Sequence, residues 1–322
     1  MLTDQPRRTA ARIPWILAGV CVVAVCLTFA TAAAQPSPER LNPLVAKLAG
    51  GDRAFGVSTY DLSLENARSL ARSNLDYVYV DMEHGPMDFA ALQEFLLGLT
   101  DRAAVAERGS VAQSLTPLAR LAPYGRESPQ WAVKQALDIG VMGLIFPAIE
   151  TPDQALRAVQ SMRYPQRRDA PYPEPPGQRG SGPTAAAWFW GLSTGDYVRY
   201  ADTWPLNPAG ELVALMMIES TEAVRNVEAI AAVPGVAGFY LGPSDLSNSL
   251  GLPRDDPRVE TAIQTVIDAC QGHGIACGIT ANAADMPGRI EQGFTILGGG
   301  RAGGGLPAAV DAAIVAGRAA PD

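Results

Sequence analysis

The sequence predicts an α/β fold, a single (β/α)8 TIM barrel, on three observations. From residue 55 onward, short runs of apolar β-type residues alternate with helical stretches, the mark of βα units around a parallel sheet. Eight such strands can be counted, each followed by a helix, which fits a closed barrel better than an open sheet. No glycine-rich dinucleotide fingerprint follows the first strand, which disfavours the doubly wound alternative.

In chain order the predicted strands are Phe55–Tyr60, Tyr77–Glu83, Leu115–Leu121, Gly143–Ile149, Leu212–Glu219, Val236–Leu241, Ala276–Thr280 and Phe294–Leu297. The helical stretches between and after them fall near 63–73, 89–99, 129–139, 152–162, 221–232, 259–271, 283–292 and 306–317. The whole chain has 322 residues, 48% of them hydrophobic and 18% charged, which excludes disorder, collagen and coiled coil. A formal charge of −8 argues against a nucleic-acid partner, because phosphate binding needs a basic surface. Acidic substrates stay allowed, since one local Arg or metal ion outweighs the global field.

The N-terminus breaks from this pattern. Arg7, Arg8 and Arg12 precede an apolar run, residues 13–30, and small residues follow, with Ala32 and Ala34 before Gln35. Residues 1–34 therefore read as a secretory signal peptide cleaved after Ala34, with export to the periplasm. The alternative is a membrane anchor formed by residues 13–30. Cleavage removes three Arg and one Asp, so −8 becomes −10. Residues 35–50 read as a linker and 51–322 as the barrel domain. Of the 4 Cys, only Cys270 and Cys277 remain, and these are expected as two buried thiols rather than a pair. Residues 163–210, rich in Pro, Gly and aromatic side chains, form a long insert before strand five. It reads either as an ordered excursion at an active-site rim or neighbouring subunit, or as a packed surface insert.

Active sites of barrels lie at the strand C-termini, so polar residues there are the candidates. Strand two ends in Asp81, Glu83 and His84, and His84 is one of only 2 His in the chain. Strand three ends at Arg120, whose planar fork suits an oxyanion or carboxylate; a salt bridge at the rim is the plainer reading. Strand five ends in Glu219, and strand six leads into Gly242-Pro243-Ser244-Asp245. Two carboxylates at neighbouring strand ends suit a hard divalent ion, although a helix N-terminal acid (Glu219) and a cap (Asp245) explain them equally well. The backbone of Gly242, Pro243 and Ser244 offers a nest for a substrate carboxylate. Asp138 reads by pattern as a helix-surface acid.

These motifs together resemble the HpcH/HpaI aldolase and citrate lyase family, specifically its metal-dependent pyruvate aldolases. The resemblance runs from about Gly56 to about Phe294. It rests on DYVYVDMEHGPMD at Asp76–Asp88, the Arg120 strand, QALDIGVMGLIFPAIET at Gln135–Thr151, RYP at Arg163–Pro165, RGSGP at Arg179–Pro183, and IES followed by VPGVAGFYLGPSDLSNSLG at Val233–Gly251.

What the resemblance implies is a barrel of the phosphoenolpyruvate/pyruvate-domain type and a carbon–carbon lyase. That enzyme would cleave a 4-hydroxy-2-oxo acid to pyruvate, or a related 2-oxo acid, and an aldehyde. It implies Mg2+, Mn2+ or Co2+ held by Glu219 and Asp245. His84 would transfer the proton through a water at the cation, paired with Asp138 from a neighbouring part of the assembly. Arg120 would stabilise the enolate, and the backbone after Gly242 would hold the pyruvate carboxylate. The family also implies a homo-oligomer, a trimer of dimers. These roles agree with the chemistry, because enolate formation needs an electrophile at the 2-oxo oxygen, a base and a nearby cation. No Lys stands at a predicted strand end, which speaks against a Schiff-base aldolase.

Three departures stand out. Met217 occupies the place where relatives carry Gln, the PYGRESPQW connection after Arg120 is long and offers Arg126 as a substitute for it, and TILGGGRAGGGLP lacks the usual acid. Two other readings remain, an exported 2-oxo-acid binding protein without turnover and an acyl-CoA lyase of the citrate lyase branch.

Overall fold

The computed structural model describes residues 40–321. The chain enters through helix α1 (Pro43–Gly50), followed by β1 (Ala54–Thr59), α2 (Leu64–Ala71), β2 (Tyr77–Asp81), α3 (Phe89–Leu99) and α4 (Arg102–Arg108). Next come β3 (Thr116–Arg120), α5 (Tyr124–Glu127), α6 (Gln130–Ile139), β4 (Gly143–Phe146) and α7 (Pro152–Met162). The insert carries α8 (Thr184–Trp190), α9 (Thr194–Tyr200) and the two-residue β5 (Thr203–Trp204). The second half runs β6 (Leu212–Ile218), α10 (Thr221–Arg225), α11 (Val227–Ala231), β7 (Gly238–Leu241), α12 (Pro243–Leu250), α13 (Pro257–His273), β8 (Ala276–Thr280), α14 (Met286–Glu291), β9 (Ile296–Ala302) and α15 (Ala308–Ala319).

All strand pairs are parallel, in the order β4-β3-β2-β1-β9-β8-β7-β6-β5, and an additional β4–β6 pairing closes the ring. The eight long strands are therefore the predicted (β/α)8 barrel. Strand β5 merely adds two residues alongside the start of β6, with Thr203 opposite Leu212.

The period-two alternation of each strand sorts side chains between two cores. Tyr77, Tyr79, Leu118, Leu215, Met217 and Tyr240 fill the barrel interior, whereas Val78, Val80, Ala214 and Met216 face the helices. Continuing the same alternation by one step past the apolar positions aims Asp81, Arg120 and Glu219 inward at the C-terminal mouth.

At the opposite end, α1 plugs the barrel with fully buried Leu44 and Val45. Asn42 caps this helix through Leu44 N and Val45 N and also donates to the carbonyls of Met142 and Glu211. The part of the expected linker from Pro43 to Gly50 is thus a helix of the barrel floor. The expected signal segment and anchor, residues 1–34, lie outside the described residues; among those described, no helix is long and apolar enough to cross a membrane.

Two further expectations change. Cys270 and Cys277 are joined in a disulfide rather than held as thiols. Gly274, at φ 64°, turns the chain back at the end of α13, so that β8 returns beside the helix and the two Cα atoms stand 5.9 Å apart, within disulfide reach. The insert, for its part, leaves the end of α7 and re-enters at the start of β6, both on the floor side, so it is no rim of its own chain's mouth. It is ordered by buried charge. Arg163 binds Asp202 at 2.6 Å and donates to the carbonyls of Pro175 and Tyr172. Arg179 binds Asp138 at 2.9 Å and stacks 4.4 Å from the Tyr164 ring centroid. Trp190 donates to the Gly140 carbonyl at 2.8 Å.

Candidate active site

Five strand ends and the loops after them, those of β2, β3, β4, β6 and β7, enclose a cavity of about 520 Å3 at the barrel mouth. Glu83, His84, Arg126, Ala148, Glu219 and Asp245 line it. Of the predicted residues, the structure brings His84, Glu219 and Asp245 onto one cavity, with Arg120 directly beneath through Glu83.

Arg120 faces Asp81 in the β2–β3 register, so the pairing of strands itself sets the ion pair. Its Nε lies 2.9 Å from Asp81 Oδ1 and one terminal nitrogen lies 2.5 Å from Oδ2, a bidentate fork. The other terminal nitrogen approaches Glu83 Oε2 at 3.3 Å and Met217 Sδ at 3.7 Å. Met217 thus lies against the guanidinium and occupies the space beside the metal candidate. Asp81 is buried, yet its carboxyl stays below the usual range, because Arg120 and the His84 amide offset its burial. The Asp81–Arg120 partnership is the element that sequence reasoning assigned no task; the signal for it was the inward phase of both strands.

Glu219 sits one residue before Ser220, which caps α10 by accepting from the Ala223 amide, so Glu219 is not the cap. Its carboxylate instead accepts from the Ala148 amide at 2.7 Å. Ala148 adopts φ 56°, a left-handed backbone that is strained for alanine and turns its N–H toward Glu219. Close approach also explains Gly242, where a Cβ would stand 2.8 Å from Glu219 Oε2 and 3.1 Å from its Cβ.

The segment from Gly242, read as a turn, opens α12, and no side chain caps this helix. Asp245 is accordingly a first-turn acid and not a cap. The Gly242 amide is spent on the Ile218 carbonyl at 3.4 Å and Pro243 has none, which narrows the predicted nest to amides from Ser244 onward.

Asp138 is not brought to this mouth. It lies in the last turn of α6, at the floor, bound by Lys134 and Arg179 of its own chain. Within one chain, the expected pairing with His84 is therefore not formed. His84 itself is 53% exposed, with Nε2 4.0 Å from Glu83 Oε2.

Burial is the main cause that pushes Glu219 up from 4.5 to about 7, and the charges of Glu83 and Asp245 add to it. Burial likewise pushes Glu83 up to about 6, against the pull of Arg120. Two facing carboxylates that repel each other and offer only oxygen donors fit a hard divalent cation, which would remove that repulsion. Among the described residues no group of three or more His, Cys, Asp or Glu gathers as a metal cage, so other positions would fall to water and substrate.

The raised value has a sign that can be measured. A carboxyl at about 7 when folded and near 4.5 when unfolded contributes stability that is fully present below 4.5 and lost as pH rises through 7. Relative to a Glu219→Gln variant, the cation-free protein is expected to lose about 3 kcal/mol between those limits. Added Mn2+ should raise Tm more at pH 7.5 than at pH 5; denaturation curves at both pH values with and without the ion check this, and an equal rise would contradict it.

Comparisons with known proteins identify the family and the fold. The family model described as HpcH/HpaI aldolase/citrate lyase matches residues 63–306. A hydroxypyruvate/pyruvate aldolase of Paraburkholderia phytofirmans is 32% identical over 259 residues, covering 80% of this chain and 90% of that protein. A 2-keto-3-deoxy-L-rhamnonate aldolase of Escherichia coli is 32% identical over 251 residues, covering 76% and 81%. An HpcH/HpaI family protein from Burkholderia cenocepacia has a solved structure that superposes with a TM-score of 0.67 at 33% identity, covering 81% of this chain and 93% of that one. With most of its length matched in sequence and in fold, the chain belongs to the HpcH/HpaI aldolase/citrate lyase family and is an enzyme of its carbon–carbon lyase type.

Proposed function

We propose that the protein is a metal-dependent aldolase cleaving a 4-hydroxy-2-oxo acid to pyruvate, or a related 2-oxo acid, and an aldehyde. The observation that carries this reading is the joint placement of Glu219, Asp245 and His84 on one cavity, with Arg120 fixed beneath it. In the cleavage, the 4-hydroxyl gives up its proton and C4 becomes the aldehyde carbonyl. The C3–C4 bond breaks with its electron pair passing into the pyruvate enolate, and C3 then takes up a proton.

In this reading His84, half exposed at the cavity edge, carries the hydroxyl proton. Arg120 lends positive charge near the 2-oxo oxygen, and its fork on Asp81 holds that charge in place without reorganisation. Amides at the open N-terminus of α12 suit the pyruvate carboxylate. A divalent ion held by Glu219 and Asp245 would supply further positive charge where the enolate develops. Asp138 would serve only from a neighbouring subunit of a homo-oligomer, here proposed as a trimer of dimers. Export of the mature chain after cleavage at Ala34 is part of the same proposal.

The test is pyruvate release by the purified mature protein from a panel of 4-hydroxy-2-oxo acids, with Mg2+, Mn2+ or Co2+ and with chelator. Cation-dependent release is the expected outcome. No release with any ion, in a protein whose circular dichroism and Tm show an intact fold, would overturn the assignment.

A further inference from the structure

Glu219 owes its place to a loop that does not hold its shape unaided. Ala148, on the loop between β4 and α7, donates its amide to Glu219 Oε1 at 2.7 Å from a backbone at φ 56°. An unrestrained alanine abandons that left-handed conformation, because its Cβ crowds the following carbonyl, so the surrounding structure must impose it. Whatever restrains residues 147–151 therefore acts on Glu219 as well.

Those restraints converge on one side chain, Gln154, half-buried in the first turn of α7. Its Oε1 accepts from the Glu150 amide at 2.6 Å and from the Thr151 amide at 2.9 Å. Its Nε2 donates to the Gly125 carbonyl at 2.7 Å. Gly125 in turn donates its amide to the Pro147 carbonyl at 3.1 Å, and it packs so closely that a Cβ there would stand 1.6 Å from the Ala148 carbonyl oxygen. The strained residue is thus held from both sides, after it by Gln154 directly and before it by Gly125, which Gln154 also fixes. Glu150 carries the grip onward to the segment after Glu219, accepting from Ser220 Oγ and, through its carbonyl, from Asn226 Nδ2, each at 2.7 Å.

Helix capping accounts for only part of this arrangement. A capping box needs the bond from the Thr151 amide to the Gln154 side chain and the reverse bond from the Gln154 amide to Thr151 Oγ1, here at 3.3 Å. It has no use for the bonds to Glu150 and Gly125, which reach out of the helix to the two segments that grip Ala148. Resting on the reading of Glu219 as a ligand of the divalent ion, we propose that Gln154 is a positioning residue for that ligand. It keeps Ala148 left-handed and so holds the Glu219 carboxylate in the orientation that binds the ion.

The experiment measures the Mn2+ affinity of the purified mature protein without substrate, from the electron paramagnetic resonance of free Mn2+, beside thermal unfolding of the same samples. In Gln154→Leu the affinity should fall about 10- to 100-fold, the range for loss of a partner that orients a metal ligand. Adding Ala148→Gly to that variant should recover most of the loss, since glycine adopts a positive φ without restraint. Thr151→Val, which breaks the other half of the capping box and spares the ties to Glu150 and Gly125, should lower Tm and leave the affinity as in the wild type. Wild-type affinity in Gln154→Leu, an equal fall in Thr151→Val, or no recovery on adding Ala148→Gly overturns the proposal. Should Gln154→Leu not fold, Gln154→Glu keeps both amide bonds and loses only the donor to Gly125, and it is held to the same direction of change and the same recovery. Glu219→Gln separates the two readings. If it binds Mn2+ as the wild type does, or if the wild type binds none, the ion-ligand reading falls and this inference with it. If Glu219→Gln loses affinity while Gln154→Leu keeps it, the role of Gln154 alone falls.

Discussion

A Glu219→Gln variant is expected to fold as the parent does and to lose cation-dependent pyruvate formation by on the order of 10^3-fold, since several kcal/mol of charge stabilisation depend on the ion. Glutamine keeps the shape of the side chain and an oxygen that can accept from the Ala148 amide, so the strained turn at Ala148 retains its partner. What is lost is the negative charge opposite Asp245. Titration calorimetry with Mn2+ should show the affinity falling along with the rate. The variant should also lack the titration near pH 7 that Glu219 brings to the cation-free protein. Wild-type rate and ion affinity in this variant would remove Glu219 from the ligand set.

Replacing Arg120 with Met is expected to damage stability and chemistry together. Asp81 has a side chain 1% exposed and loses its bidentate partner, and an uncompensated charge of this kind costs about 3–5 kcal/mol. Without Arg120 the Asp81 carboxyl rises above its ordinary range and takes up a proton as pH falls. The deficit should accordingly be largest near pH 7.5 and shrink toward pH 5, as read from denaturant midpoints. Turnover should drop by about 10^2- to 10^3-fold, the scale of one preorganised donor. In the double variant Asp81→Asn/Arg120→Met, stability should recover at pH 7.5 while activity does not. Full activity in Arg120→Met would show that the guanidinium serves structure alone.

The barrel strands and the inward phase of Asp81, Arg120 and Glu219 were legible because alternation in a buried strand is a strong signal that continues to its polar end. Helix starts were harder. Asn42-Pro43 and Gly242-Pro243 both open helices, yet Pro beside Asn or Gly also signals a turn, and the sequence was read as linker and nest. Asp101 caps α4 through the Ala103 and Ala104 amides, but no residue of that helix is buried, so no apolar stripe marks it in the sequence. The left-handed Ala148 could not be read at all, since nothing in alanine favours that backbone. Pairing of Cys270 with Cys277 depended on how sharply Gly274 returns the chain, a three-dimensional fact. Asp138 was recognised by its motif, but only the fold shows that Arg179 and Lys134 hold it at the floor.

The position of the insert has a bearing on how such a chain can diversify. Its anchoring charges, Arg163 with Asp202 and Arg179 with Asp138, stand at the end of the barrel away from Arg126 and the loop beneath it. The buried charges that order the insert and the candidate site are thereby set at opposite poles of one scaffold. A lineage could vary the loops around the mouth while leaving the floor-side network that secures the chain untouched.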